Sequence, residues 1–523
     1  VTEATGSRCN DARAGTDSCR EDRSKETVDG MRPGGKTTGG LTQRARGVLR
    51  RRDPGDEAAG FRQPVYGPAL PEESTVHLVM DLGLRIGEVQ MASGAGASDV
   101  TATIIGITSA YGLPHCEVDV IYTSVTVSCY RGTEAMPVTS LRVVRNRSID
   151  YTRLADVEAL VRQITAGDIS AADAYAELDR ITSAPHPFPR WVATVAWAGM
   201  AASLSVLLGG EGTTPMLPLV AAGATALVDR FGRYLNKRAL PFFFQQAAGG
   251  CVATFVALLF FSLHLLNDPA LAISSSIIVL VSGMTVVGSM QDAITGYNVT
   301  AAGRIAELAL MSAGLIAGVV LALYTATQIE PSVFSHVAGG HNVLQDLGGA
   351  KIGSPALHLP VQTLAGASTS ACFALASYAP PRPLLAAAIG GGLAAMVQSA
   401  LTSLFSVQSV LASAVATTAV GLIGGIVARR LRIPALVIAV SSVAPLLPGL
   451  ATYRGLYEMA VLHEPSGLTS LSLAVATGLA LGSGVVLGEY LAQPVRTRLG
   501  RLERRISGPR MSGPLRPTRR RLD

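Results

Sequence analysis

The chain has 523 residues, 49% of them apolar and only 15% charged, with a mean hydropathy of +0.37 and a formal net charge of +6. That balance excludes an ordinary water-soluble protein and a disordered one, because both carry far more polar surface. The positive charge does not indicate a nucleic-acid partner: the arginines cluster in an N-terminal arm and a C-terminal tail, and the lysines are only Lys25, Lys36, Lys237 and Lys351.

Residues 1–71 are rich in Gly, Arg, Asp, Thr and Pro and lack apolar periodicity, so a disordered arm is expected. No short apolar segment follows a basic start near residue 1, which leaves the first membrane helix as the expected insertion signal. From Glu72 the pattern changes. Val76, Val79, Met80, Leu82, Gly83 and Ile86 recur at helical spacing, and a second helix is predicted over 97–111. The β-branched runs 117–122, 125–130 and 138–144 read as strands, followed by helices over 151–166 and 170–182, the last opened by a Ser170 cap. Together these predict a small cytoplasmic α/β domain over 72–186.

Between Trp191 and Leu491 the sequence becomes a series of apolar runs of about 20 residues, the length that crosses a hydrocarbon core. Ten segments are predicted, at 190–209, 215–231, 242–265, 270–290, 303–326, 357–378, 384–405, 409–428, 434–452 and 469–491. Arg230, Arg233, Lys237, Arg238, Arg304, Arg382, Arg429, Arg430 and Arg432 fall in alternate connections, whereas the opposite ones hold only Lys351 and Arg454. The positive-inside rule then places both termini in the cytoplasm. The expected fold is an α-helical integral membrane protein of about ten transmembrane helices in two five-helix halves, 187–327 and 355–491. An external loop over 328–354 separates them, and a basic cytoplasmic tail over 492–523 lies near anionic lipid. A five-helix unit used twice has to be inverted in the membrane, and Pro269 and Pro434 open the fourth segment of each half.

The chemistry is expected where those fourth segments break, in Ser282 to Gly296 and in Ser442 to Leu450. Proline removes a backbone donor and glycine permits close approach, so Gly288, Pro445, Pro448 and Gly449 either expose backbone polar groups to a substrate or serve as packing contacts and kinks. Asp292 is the first candidate carboxylate, with Gln291 beside it. An ionised Asp at membrane depth costs about 2.5–3.5 kcal/mol, which calls for a partner or a purpose. It either carries a coupling proton, or meets a substrate ammonium, or pairs with Arg304, which opens the next helix with Glu307. Asp229 is a pathway residue or half of a solvated pair with Arg230. Gln245, Gln246 and Gln398, inside apolar runs, face a polar pathway or hydrogen-bond between helices.

The six cysteines form no CxxC pair, and His336, His341 and His358 match no compact ligand spacing, so neither a metal nor another cofactor is expected. GxSxG and HExxH motifs are absent from the sequence, and its GxxxxGK[ST] string, Gly30 to Thr37, falls in the arm expected to be disordered rather than between a strand and a helix, which argues against direct ATP drive and against an enzyme.

Several stretches are similar to one family. Gly87-Glu88, Ser93-Gly94-Ala95, the strand-rich Val118-Asp119-Val120 to Ser128 region, the Gly-Ser-Met-Gln-Asp-Ala-Ile-Thr-Gly run at 288–296 and Pro445-Leu-Leu-Pro-Gly449 resemble the threonine/serine exporter (ThrE) family, over about residues 73–491. The resemblance implies a secondary exporter of threonine and serine in the bacterial inner membrane, driven by the proton-motive force, with a cytoplasmic N-terminal domain fused to ten helices. It also implies that the halves occur elsewhere as separate subunits. The implied partners are the amino acids, protons and membrane lipid, with homo-oligomerisation left open. The long arginine-rich tail after Gln493 departs from the family. Related split exporters are associated with succinate, which keeps a small dicarboxylate as an alternative substrate. A hydrolase in the soluble domain, using groups such as His77, Asp81, Glu88, Ser93, His115 and Asp119, is a second alternative, and a module that gates or dimerises the membrane part is a third.

Overall fold

The computed structural model describes residues 72–492 apart from 114, 131–135, 146–148, 210–214, 267–268, 281–282, 330–354, 449–450, 453–454, 456–457 and 460–463. The expectations for 1–71, for nearly all of the 328–354 loop, for the tail and for Gly449 lie outside the described residues.

The N-terminal part is a three-layer α/β unit. Helices α1 (Glu73–Ala92) and α2 (Ala97–Ala110) form its middle layer. On one side lies an antiparallel meander of β1 (Cys116–Ile121), β2 (Ser124–Cys129) and β3 (Val138–Val143), with Cys116 opposite Cys129 and Val127 opposite Ser140. The strands' period of two turns Val118, Val120, Val125 and Val127 onto Val76, Met80, Val100 and Ile104. On the other side α3 (Tyr151–Ala166) and α4 (Ala171–Ser183) bury Val157, Leu160, Ile164 and Leu178 against Leu82, Ile86 and Ile107. Both helices start on side-chain caps: the Asp150 carboxylate accepts from the Thr152 and Arg153 N–H groups, and the Ser170 hydroxyl from Asp173.

Two series of helices follow. The first is α5 (Arg190–Gly209), α6 (Met216–Lys237), α7 (Phe242–Ser262), α8 (Pro269–Leu280), α9 (Gly283–Ile294) and α10 (Asn298–Ile329). The second is α11 (Pro355–Ala376), α12 (Pro381–Leu404), α13 (Ser409–Leu431), α14 (Ala435–Val443), which tightens into a 3₁₀ turn over Ala444–Leu446, and α15 (Ser466–Leu491). Among the described residues α5, α7, α10, α12, α13 and α15, six in all, are long and apolar enough to cross a membrane, and the α8–α9 pair, bent by 54°, makes up to seven. The remainder of the ten expected segments are weaker for identifiable reasons. Helix α6 carries Asp229, Arg230 and Arg233, α11 carries Pro360, Gln362, two Ser and two Thr, and α14 is short. Leu219, Leu310, Leu364, Leu385, Ile389 and Val475 are exposed, an apolar exterior that suits lipid rather than water.

The same pairings recur in both series. The first helix packs on the second, the second on the third, the third on the last, and the short fourth is seated against the first three: α5, α6, α7, α10 with α8, and α11, α12, α13, α15 with α14. The series meet through α5 against α11 and through α9 against α14 and α15. Small residues set these distances. A Cβ on Gly318 of α10 would overlap the Ala247 carbonyl of α7. Gly318→Val is therefore expected to lower stability by about 1–3 kcal/mol through overpacking, read as an earlier unfolding transition of the purified protein.

The α/β layers and the helices form one compact unit. The contacts responsible also frame the candidate site.

Candidate functional site

The C-terminal end of α9 holds a buried ion pair. Asp292 is fully buried, its Oδ2 stands 2.9 Å from Arg304 Nη1, and its Oδ1 accepts the Ala97 N–H at 2.7 Å. Helix α2 begins at Gly96 without a side-chain cap of its own, so a carboxylate nearly two hundred residues away satisfies its first turn and its positive end. Arg304 also donates from Nη2 to the Ala95 carbonyl at 3.0 Å. Gly288 gives the guanidinium its seat, since a Cβ there would lie 2.8 Å from Arg304 Nη1. Gln291 donates to Asp99 at 3.1 Å, and Thr300 exchanges hydrogen bonds with the β1–β2 turn, accepting from Tyr122 N and donating to the Val120 carbonyl.

A second contact lies at the start of α3. Tyr151 is fully buried among Met200 and Leu204 of α5, Ile278 of α8, Phe373 of α11, and Val437 and Val440 of α14. Its N–H donates to the Ser377 carbonyl at 3.0 Å, and His186, 2.8 Å from Asp150, stacks on Tyr378 with ring centroids 4.5 Å apart.

Between these contacts the α/β layers and α5–α10 frame a half-open cavity of about 830 Å³, within the range of small-molecule sites. Its apolar wall includes Trp197, Val228, Val279 and Met311; its polar wall includes Arg145 of the α/β layers, Asp229, Arg233 and Asn236 of α6, Gln245 and Gln246 of α7, and Arg304 and Glu307 of α10. Arg233 Nη2 is 2.6 Å from both Asp229 Oδ2 and Thr194 Oγ1, and Glu307 Oε2 accepts from the Tyr122 hydroxyl at 3.2 Å. Guanidinium and carboxylate groups on facing helices, in a half-apolar chamber, suit a small zwitterion: the carboxylates meet an ammonium and the arginines a carboxylate. A second cavity of about 650 Å³ lies against α13 and α15, with Asp99, Glu158, Arg429, Arg432 and Glu489 on its wall. Burial pushes the Glu158 carboxyl up to about 7, with nearby Arg162 acting against the shift.

The expected site residues thus divide. Asp229 and Glu307 share the first cavity; Gly288, Gln291 and Asp292 form the contact beside it. Pro445 is buried in the 3₁₀ turn and Pro448 half-buried just after it, about ten residues along from the end of α14 that faces the second cavity. The broken segments do meet, but through the apolar Val287, Val443 and Leu446 rather than through Asp292. Gln398 donates to Ser413 at 2.9 Å, tying α12 to α13. Of the groups considered for a hydrolase, Asp81 and Glu88 both bind Arg142 of β3. Sequence reasoning missed Arg233 as the partner of Asp229, although the i,i+4 spacing on a helix was the available signal. It had no signal for Tyr151.

A family model described as "Putative threonine/serine exporter" matches residues 81–326, and one described as "Threonine/Serine exporter, ThrE" matches residues 362–491. A probable threonine/serine exporter of Mycobacterium tuberculosis is 40% identical over 466 residues, 88% of this chain and 84% of that protein. The threonine/serine exporter of Corynebacterium glutamicum is 36% identical over 450 residues, 84% and 88% of the two chains. This chain belongs to the threonine/serine exporter family. No solved structure matches the exporter. The two family models part between residues 326 and 362, so each covers one of the helix series that repeat the same pairings, the first together with most of the α/β layers.

Proposed function

We propose that the exporter moves threonine and serine out across the bacterial inner membrane in exchange for protons, and that the cavity lined by Asp229, Arg233, Arg304 and Glu307 loads them from the cytoplasm. The observation that carries this reading is the pairing of both signs of charge in one half-open chamber facing the broken fourth segment. The chain crosses the membrane ten times as two inverted halves, with the α/β layers and the end of α15 on the cytoplasmic side. The matching helix pairings support the repeat, and the arginine-bearing ends of α6 and α13, both beside the α/β layers, support the orientation.

Proton drive is adequate in magnitude: one charge crossing about 100 mV releases about 2.3 kcal/mol, and about 1.4 kcal/mol corresponds to a tenfold gradient. Energised inverted vesicles carrying the exporter should accumulate labelled threonine, an uncoupler should abolish the accumulation, and unlabelled serine but not succinate should compete. Accumulation indifferent to the uncoupler removes the coupling, and competition by succinate removes the substrate class.

A further inference from the structure

At its membrane end the same cavity is lined by Thr225 of α6 and Gln246 of α7, and each keeps one buried polar atom that the fold leaves without a partner, Oγ1 and Oε1. Both residues are well over nine-tenths buried, at 3% and 5% exposure. Gln246 uses its Nε2 on the Leu280 carbonyl at 3.3 Å, where α8 ends and the fourth segment breaks, and this leaves the amide oxygen as the unpaired atom. Thr225 differs from its counterparts. Thr254, Thr369, Thr417 and Thr477, buried in other membrane helices, each donate to the carbonyl four residues back, the ordinary resting bond of a helical threonine. A buried acceptor and a buried hydroxyl without partners are unfavourable, and an apolar residue at either position would avoid the penalty, so their presence points to a partner that comes and goes.

The spacing identifies that partner. Thr225, Asp229 and Arg233 follow one another at i, i+4 and i+8, so they form one stripe along α6 with the charged rim about one turn, about 5.4 Å, from the hydroxyl. An amino acid held at the rim by its ammonium and carboxylate places its β-substituent toward Thr225 and Gln246.

Resting on the transport reading of this cavity, the geometry points to Thr225 and Gln246 as the subsite that selects the substrate's side-chain hydroxyl. Gln246 Oε1 accepts the substrate O–H, and the Thr225 hydroxyl donates to the substrate oxygen. Valine, which has threonine's shape with a methyl in place of the hydroxyl, leaves both groups unpaired and is rejected for that reason. A site built around a substrate hydroxyl discriminates far better than one that measures size.

The test is uptake of labelled threonine and labelled valine by energised inverted vesicles carrying the wild type, Gln246→Met or Thr225→Val. The wild type is expected to prefer threonine strongly, and each variant to lose about tenfold or more of that preference, with threonine uptake falling and valine uptake holding or rising. Threonine uptake with an unchanged preference in both variants overturns the subsite alone. No uptake of threonine by the wild type overturns the transport reading and the subsite with it. Against the chance that a variant does not fold, thermal unfolding of the purified wild type is followed with each amino acid: stabilisation by threonine beyond that by valine is expected, and equal stabilisation overturns the subsite.

Discussion

Arg304→Ala is expected to destabilise the exporter by about 3–5 kcal/mol, the range for removing one partner of a buried ion pair. The change strands a fully buried Asp292 carboxylate and takes a donor from the Ala95 carbonyl, at the point where α2 rests on α9. Asp292→Asn should be milder, because an amide oxygen still accepts the Ala97 N–H, although it leaves Arg304 facing a neutral group. Replacing both with apolar residues of similar volume, as Asp292→Leu with Arg304→Met, should recover much of the loss, since the desolvation of the pair disappears with it. Denaturation of the detergent-purified single and double variants gives the coupling directly. The comparison also separates two roles for Asp292: a docking carboxylate, when made neutral, lowers stability while leaving vesicle uptake dependent on the proton gradient, whereas a coupling carboxylate loses that dependence.

Tyr151→Ala is expected to cost about 3–5 kcal/mol, the range for emptying a large aromatic site in a packed core. The side chain fills the junction of α5, α8, α11 and α14, where both helix series contribute, so neither series alone can collapse into the space. Tyr151→Phe keeps the volume and removes only the phenol hydroxyl, for which about 0.5–1.5 kcal/mol is expected. The ratio of the two losses, measured by thermal or denaturant unfolding, distinguishes packing from hydrogen bonding as the source of the attachment. Equal losses would mean that the hydroxyl rather than the ring carries it.

Much of the local structure was legible because its causes are local. The alternation of β-branched residues placed three strands within a residue or two of β1, β2 and β3, and the Asp150 and Ser170 positions marked where α3 and α4 begin. The apolar run lengths gave the membrane class directly. The break in the fourth segment was visible at Ser282-Gly283, beside the observed bend between α8 and α9. Site chemistry was less legible. Asp292 stood out by its position after an apolar helix, and its partner Arg304 could be named from twelve residues away, but nothing near it in sequence pointed to the uncapped start of α2. Tyr151 read as an ordinary first residue of a soluble helix.

The sequence by itself determined the solvent, the three strands, the starts of α3 and α4 and the family, because hydropathy, capping and periodicity act over one or a few turns. Tertiary structure alone decided that Asp292 and Arg304 join the α/β layers to the helices, that Asp229 pairs with Arg233 rather than Arg230 and shares a chamber with Glu307, and that Thr225 and Gln246 end up buried without partners. Those facts depend on which face each helix turns to its neighbours. That rotation is fixed by close packing among small residues far apart in the chain, and a 3.6-residue period read one helix at a time does not contain it.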